Sequence, residues 1–430
     1  MNSEADMGKL DWFLQAKYGA IVHWGLYAIP GGVWEGERAP HGGEWIMKNW
    51  RQGIAYPAYK QLMTQFHPAD FDAEAFVRFL KDCGFKYLVF TAKHHDGFAM
   101  YDSACCDYNI MHTPYGKDVT RALADACEKY DLTFCLYYSQ LQDWADPNGF
   151  GNTWDYGPEK DKDFRKYLDE KCKPQLEELL TQYGRVGLIW FDTPYEMDEA
   201  QCRELVDFVH QFQPDCLING RVGYGLGDYR QMGDRGIPLR AYDKPWEVPM
   251  TLNDTWGYRV DDERWKTPER VIRLMAEIAG KGGNLLLNIG PDGDGHIPQE
   301  SRKILRTVGA WLRENGESIF GTDPVPDFPY RLDTDFGCFT YSRARRKLYM
   351  HIFNYPAVPP HQICVVGLKT KVGKARILKT GEEILCWQTY ETARDEHRLR
   401  VRLPYAQAID PIDTVIEIDV QDDTLETQTL

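Results

Sequence analysis

Gly187-Leu188-Ile189-Trp190-Phe191-Asp192 decides how the rest of the chain is read. Leu188 to Phe191 are apolar and contiguous; a carboxylate and then Thr193-Pro194 follow. A short uninterrupted apolar run is the signature of a strand buried on both faces, as in parallel sheets, and Thr193-Pro194 ends it at Asp192. In a barrel of alternating strands and helices, the C-terminal strand ends carry the chemistry, so an acid placed there faces a pocket. Taken alone, Asp192 would more simply cap the next helix. Its counterparts on neighbouring strands reverse that preference.

On both sides of this run, buried-strand and helical patterns alternate. Gly19 to Gly25 reads as the first strand and ends in His23-Trp24. Tyr87 to Thr91 is the next and runs into Lys93-His94-His95-Asp96-Gly97-Phe98. Thr133 to Ser139, Cys216 to Arg221 and Asn284 to Gly290 complete six clear strands with the Asp192 run. Helical spacing is expected over 72–83, 119–130, 163–183, 199–212, 268–279 and 300–315. Regularity lapses over 222–262, where Gly, Pro and Trp are frequent, and the two missing strands are expected there, near Tyr229 and over 246–252. The fold class is therefore α/β, a (β/α)8-like TIM barrel over 1–324. After Pro324 the pattern becomes short β-type runs (Cys338–Ser342, Lys347–Phe353, Ala375–Leu378, Thr414–Val420) separated by turns, which predicts an antiparallel β-sandwich over 325–430.

A formal net charge of -15 argues against nucleic acid or an anionic membrane as the main partner and suits a neutral substrate. Tyr (25) and Trp (13) are plentiful, and aromatic faces stack on sugar rings as well as filling cores. Residues 1–10 carry no apolar stretch of signal-peptide type and no run is long enough to span a bilayer, so a cytoplasmic location is expected. The eleven cysteines are scattered without a CxxC, which fits reduced, buried thiols better than a disulfide framework or a zinc site.

Nearly every strand end delivers a polar or aromatic group: His23-Trp24, His94-His95-Asp96, Tyr138-Ser139, Asp192, Asn219 with Arg221, and Asn288. Together they place imidazoles, a carboxylate and a guanidinium around one cavity. A metal site is the lesser reading, because His94 and His95 start toward opposite faces of an extended segment. Gly223-Tyr224-Gly225-Leu226-Gly227 lacks the Lys and the following helix of a phosphate loop. Carboxylate chemistry remains. Cleaving a glycosidic bond takes one acid to protonate the leaving oxygen and one carboxylate near the anomeric carbon. Asp192 is the natural nucleophile and Trp190 beside it would cover a sugar face. The partner acid is Asp234 or Glu247, reaching in from the irregular stretch. Glu44, in an early Trp-rich loop, is better suited to binding hydroxyls.

From about Trp12 to Thr322 the chain resembles the α-L-fucosidases of glycoside hydrolase family 29. The marks are His23-Trp24-Gly25, Gly43-Glu44-Trp45, His94-His95-Asp96-Gly97-Phe98, Tyr137-Tyr138-Ser139, Trp190-Phe191-Asp192, Asn219-Gly220-Arg221, Trp246-Glu247 and Asn284-Leu285-Leu286-Leu287-Asn288-Ile289-Gly290-Pro291. The resemblance implies an imperfect barrel followed by a β-sandwich, and removal of terminal α-L-fucose from fucosylated oligosaccharides with retention, without metal or cofactor. It implies Asp192 as nucleophile, and His23, Glu44, Trp45, His94, His95, Tyr138, Trp190 and Arg221 as fucose-binding positions. Two places depart from the family pattern. Thr193 stands where a glycine is usual, and Gly233-Asp234 stands where many members carry a glutamate, which puts Asp234 first and Glu247 second as the general acid. A glycosidase for a related sugar (an α-L-galactoside or β-L-arabinopyranoside) and an inactive carbohydrate-binding relative are the alternatives.

Overall fold

Strands buried on both faces need helices outside and side chains inside, and the chain supplies both. The computed structural model describes residues 4–242, 244–326, 330–331, 336–356, 361–403 and 409–428. Its main sheet has eight parallel strands: β1 Tyr18–Val22, β2 Tyr87–Lys93, β3 Thr133–Tyr138, β4 Leu188–Phe191, β5 Leu217–Ile218, β6 Arg230–Gln231, β7 Trp246–Thr251 and β8 Gly283–Ile289. Strands β1 to β5 pair in sequence, and β6, β7 and β8 pair in sequence back to β1. The ring closes where the two shortest strands meet. Asn219 bridges Tyr229 in parallel, and the Asp228 amide donates to the Ile218 carbonyl at 2.8 Å. The two strands expected in the irregular stretch are β6 and β7.

Alternation sorts the side chains. Ile21, Tyr87, Val89, Cys135, Tyr137, Leu188, Trp190, Leu217 and Leu286 fill the barrel, while Ala20, Val22, Leu88, Phe90, Leu136, Tyr138, Ile189 and Phe191 join the helix layer. Helix α1 (Glu4–Ala16) adds Phe13 to the barrel interior, and the Phe13 carbonyl accepts from Asn284 Nδ2 at 2.8 Å. The outer helices are α2 Ala73–Asp82, α3 Val119–Lys129, α4 Lys173–Gln182, α5 Glu199–Phe212, α6 Pro268–Gly280 and α7 Gln299–Asn315. The single helix expected over 163–183 is interrupted by a π-helical stretch at Leu168–Cys172. Among the described residues no α-helix joins β5 to β6 or β6 to β7, which makes the barrel imperfect. None of the eleven cysteines is in a disulfide, and none is fully exposed.

The C-terminal strands form two antiparallel sheets. β9 is Tyr330–Arg331, β10 Gly337–Ser342, β11 Lys347–Ile352, β12 Gln362–Val366, β13 Val372–Ile377, β14 Glu383–Ile384, β15 Cys386–Glu391, β16 Glu396–Arg402 and β17 Thr414–Val420. One sheet has the order β10-β11-β17-β13-β14 and the other β9-β12-β16-β15. Leu348, Met350, Ile416 and Ile418 of the first pack against Ile363, Val365, Leu399 and Val401 of the second, which makes a sandwich. The outer face of the larger sheet joins the barrel's helix layer through Tyr349 and Val415. Trp311 Nε1 on α7 donates to the Asp413 carbonyl at 3.3 Å, and Arg273 Nη2 on α6 donates to the Phe353 carbonyl at 2.7 Å.

Candidate active site

Asp192 follows the last residue of β4. Leu188 and Trp190 point into the barrel, so period-two alternation puts Asp192 on the same face, at the mouth. It does not cap the next helix, because Asp198 caps α5. Its Oδ2 accepts from the Tyr137 hydroxyl at 2.9 Å and its Oδ1 from Arg221 Nη1 at 2.8 Å. Three side-chain amides hold the segment that carries it, two through its backbone and one through the Thr193 hydroxyl. Asn219 accepts from the Phe191 amide and donates to the Phe191 carbonyl, both at 2.9 Å. Gln140 Oε1 accepts from the Asp192 amide at 2.8 Å, and its Nε2 donates to the Arg221 carbonyl at 3.0 Å. Gln142 Nε2 donates to Thr193 Oγ1 at 2.9 Å. Thr193 has φ +50°, a left-handed conformation that glycine adopts freely and a β-branched residue does not. Thr193 therefore holds, where the family pattern has glycine, a conformation that glycine takes more easily.

Arg221 lies in a short turn after β5. Its guanidinium carbon stands 4.9 Å from the Trp190 ring centroid, and its Nη2 donates to Asp234 Oδ1. One guanidinium thus joins Asp192 to Asp234, the latter in a turn after β6 with its side chain 47% exposed.

The histidines meet because β2 bulges. Its register with β3 shifts between Thr91 and Lys93, and the backbone then turns, so that the His94 and His95 rings lie 4.3 Å apart. His94 stacks on Tyr137 at 5.3 Å, and His23 lies 5.5 Å from His94. Hydrogen bonding fixes two tautomers. Ser139 Oγ donates to the Gln142 carbonyl at 2.8 Å, so it accepts from His95 Nδ1 at 2.7 Å. Asn288 Nδ2 donates to the Trp256 carbonyl at 2.7 Å, which turns its Oδ1 to accept from His23 Nδ1 at 2.6 Å. Both imidazoles are then left with a bare Nε2 acceptor. Burial keeps them neutral. It lowers the His23 pKa to about 4 against the opposing Asn288 bond, and it holds His94 and His95 well below the usual histidine range. His95 Nε2 stands 3.6 Å from Asp192 Oδ2, so two acceptors face one space where a donor hydroxyl fits.

Glu44 and Trp45 close another side. Glu44 Oε2 accepts from the Gly257 amide at 2.7 Å, and burial pushes its carboxyl up to about 7. The neighbouring Trp256 ring lies 5.4 Å from His23, and the half-buried Trp45 ring lies 5.0 Å from His95. His23, Glu44, Trp45, His94, His95, Asp192, Arg221 and Asp234 are thus linked around one mouth.

Three expected site residues stand elsewhere. Tyr138 points outward and donates to Gln175 Oε1 at 2.8 Å; its neighbour Tyr137 takes the inward place, because register pairs Tyr137 with the inward Trp190. Trp190 is only 2% exposed, stacks on Tyr137 at 5.4 Å and supports Arg221, so it lies beneath them as a floor residue. Glu247 is not on a loop. It lies near the start of β7, the end away from the mouth, fully buried in the barrel. Tyr87 Oη, Trp190 Nε1 and Tyr229 Oη donate to it at 2.6, 2.9 and 3.2 Å. This geometry predicts different fates for the two adjacent tyrosines. Tyr137→Phe removes a hydrogen bond to a carboxylate and is expected to lower kcat/KM by ~10–100-fold. Tyr138→Phe is expected to cost about 1 kcal/mol of stability in a denaturation curve and leave the rate unchanged. Equal kinetic losses would contradict the assignment of faces.

Among the described residues, one group of acids and histidines is spaced for a metal ion: Asp292, Asp294 and His296, on the loop after β8. None of the residues around Asp192 belongs to it.

Comparison with known proteins shows the family and fold that this chain shares. The family model "Alpha-L-fucosidase" matches residues 2–317. The plasma α-L-fucosidase of Rattus norvegicus is 31% identical over 334 residues, covering 72% of this chain and 70% of the relative. The structure of α-L-fucosidase isoenzyme 1 from Paenibacillus thiaminolyticus superposes with a TM-score of 0.85 at 35% identity, covering 97% of this chain and all (100%) of that one. An α-L-fucosidase from Lactobacillus casei, solved in complex with its α-L-fucose product, superposes at 0.68 with 40% identity over 72% of this chain and 99% of that one.

Proposed function

The chain belongs to the α-L-fucosidase family, and from that premise we propose that it hydrolyses terminal α-L-fucosides with retention, using Asp192 as nucleophile and Asp234 as general acid and base. In the first step an Asp192 oxygen bonds to the anomeric carbon while Asp234, protonated, gives its proton to the departing glycosidic oxygen. In the second, Asp234 takes a proton from water, the water oxygen bonds to the anomeric carbon, and Asp192 leaves as carboxylate. His23 and His95 accept hydrogen bonds from fucose hydroxyls through Nε2. Glu44 and Trp45 complete the sugar's surroundings, and Tyr137 and Arg221 keep the nucleophile aimed.

The observation that carries this reading is the guanidinium shared by the two acids. Carboxylates joined through one planar fork lie close to each other, as the ~5–5.5 Å separation of a retaining pair requires. Proton NMR of the hydrolysis of 4-nitrophenyl α-L-fucoside tests it. α-L-Fucose is expected as the first-formed anomer, with no loss of rate on adding a chelator. First appearance of the β-anomer would overturn retention, and no release of nitrophenol would overturn the catalytic reading.

A further inference from the structure

The glycine-rich loop after β5 has no part in the chemistry above, yet its conformation is costly. Gly223, Tyr224 and Gly225 are all left-handed, with φ of +110°, +53° and +72°. The two glycines adopt this freely, whereas a bulky side chain between them is strained. Such strain persists where the surroundings hold it, and functional sites are where it concentrates. Here Tyr224 Oη donates to the Met197 carbonyl at 3.0 Å, fixing the ring to the loop that follows Asp192. The same ring is 61% exposed.

Exposed apolar side chains are not scattered over the barrel. Among the described residues, its large exposed hydrophobics are Tyr195, Tyr224, Leu239 and Val260. They stand on the loops after β4, β5, β6 and β7, and the exits of the first three of these strands carry Asp192, Arg221 and Asp234. The remaining two, Leu385 and Tyr390, belong to the sandwich. A concentrated apolar rim marks a binding surface.

The mechanism says what binds there. A general acid lies beside the oxygen it protonates, so the leaving group lies on the side of Asp234. Arg221, which opens the Tyr224 loop, bonds that acid. From this we infer that Tyr224 is the platform for the leaving-group sugar, its ring lying against the C–H face of the pyranose attached to fucose, with Tyr195 as its neighbour. This rests on the fucosidase reading and names the part of the substrate that reading leaves open. A neutral sugar ring also suits the acidic chain: Arg221 is engaged by Asp192 and Asp234, and residues 222–229 carry no Lys or Arg to hold an anion.

The test compares two leaving groups. α-L-Fucosyl fluoride, whose leaving group is one atom, has nothing to stack, whereas a fucosyl disaccharide has a ring. Tyr224→Gly, which suits the left-handed backbone, is expected to lower kcat/KM on the disaccharide ~10-fold, mainly through KM, and to leave the fluoride within about 2-fold of wild type. Tyr224→Phe keeps the ring and is expected to retain most of the disaccharide activity. Equal losses on both substrates, or no loss on the disaccharide, would overturn the platform. A wild-type protein inactive on both substrates would instead overturn the fucosidase reading itself. Should Tyr224→Gly fold poorly, Tyr195→Ser is read in the same pair of assays with the same expected split.

Discussion

Asp192→Ala should lower hydrolysis of 4-nitrophenyl α-L-fucoside by about four orders of magnitude or more, with the circular dichroism spectrum unchanged. The size follows from the step removed. Without the carboxylate no covalent intermediate forms, and what remains is substrate held by neutral imidazoles and Glu44. The loss leaves the Tyr137 hydroxyl and Arg221 Nη1, both aimed at the missing group, facing a small electropositive space. Azide is an anion of the size to enter it. Added azide is therefore expected to restore nitrophenol release and to yield β-L-fucosyl azide, the product of one displacement where the native reaction uses two. A variant with near-native activity would remove Asp192 from the mechanism. Azide product of retained configuration would place the nucleophile elsewhere.

How much of this is legible in the chain depends on whether neighbours along the sequence are enough. For Asp192 they are, because four apolar residues and a Thr-Pro stop mark both the strand and its end. The β6 and β7 strands are legible only as places, since two residues at Arg230–Gln231 carry no periodic signal and are strands by virtue of closing the ring. The sandwich strands expected from composition lie in the sheet facing the barrel. Those of the other sheet, such as Glu396-His397-Arg398-Leu399-Arg400-Val401-Arg402, alternate apolar with charged residues and look like surface. Tyr137 and Tyr138 are the same residue type side by side, and only cross-strand register chooses between them. Gln140 and Gln142 leave no sequence signal, and Asn219 shows only as a polar strand end, because their work is to tie loops from different strands to residues 191–193 and to the backbone of Arg221. Trp190 and Glu247 depart from expectation for one reason. Both sit on strands in a region of functional motifs, and depth within the barrel is a property of the closed sheet, absent from either segment alone.

The two acids weighed as proton donor are separated by one comparison. Asp234→Ala is expected to slow a fucosyl disaccharide, whose leaving alcohol needs a proton, by ~10³-fold, and 4-nitrophenyl fucoside, whose phenolate leaves unaided, by only ~10-fold. Glu247→Gln should show no such split, since that carboxyl is enclosed by Tyr87, Trp190 and Tyr229 at the far end of the barrel from the leaving group. Its signature belongs to stability. Burial raises the folded carboxyl to about 7 from 4.5, with the three donors and Arg221 opposing. The native state therefore keeps a proton that the unfolded chain releases first. The stability this contributes is full below about 4.5 and is lost as pH rises through about 7. An uncharged glutamine has no such loss. From pH 5 to pH 8 the difference in unfolding free energy should move toward Glu247→Gln by a few kcal/mol, on the order of 1.4 kcal/mol for each tenfold difference in proton affinity between the folded and unfolded chain. Glu44 and Asp96, which burial also raises to about 7, titrate in both proteins and cancel from the difference. A leaving-group split in Glu247→Gln and none in Asp234→Ala would exchange the two roles, and it would require a path for the proton from the sealed end of the barrel to its mouth.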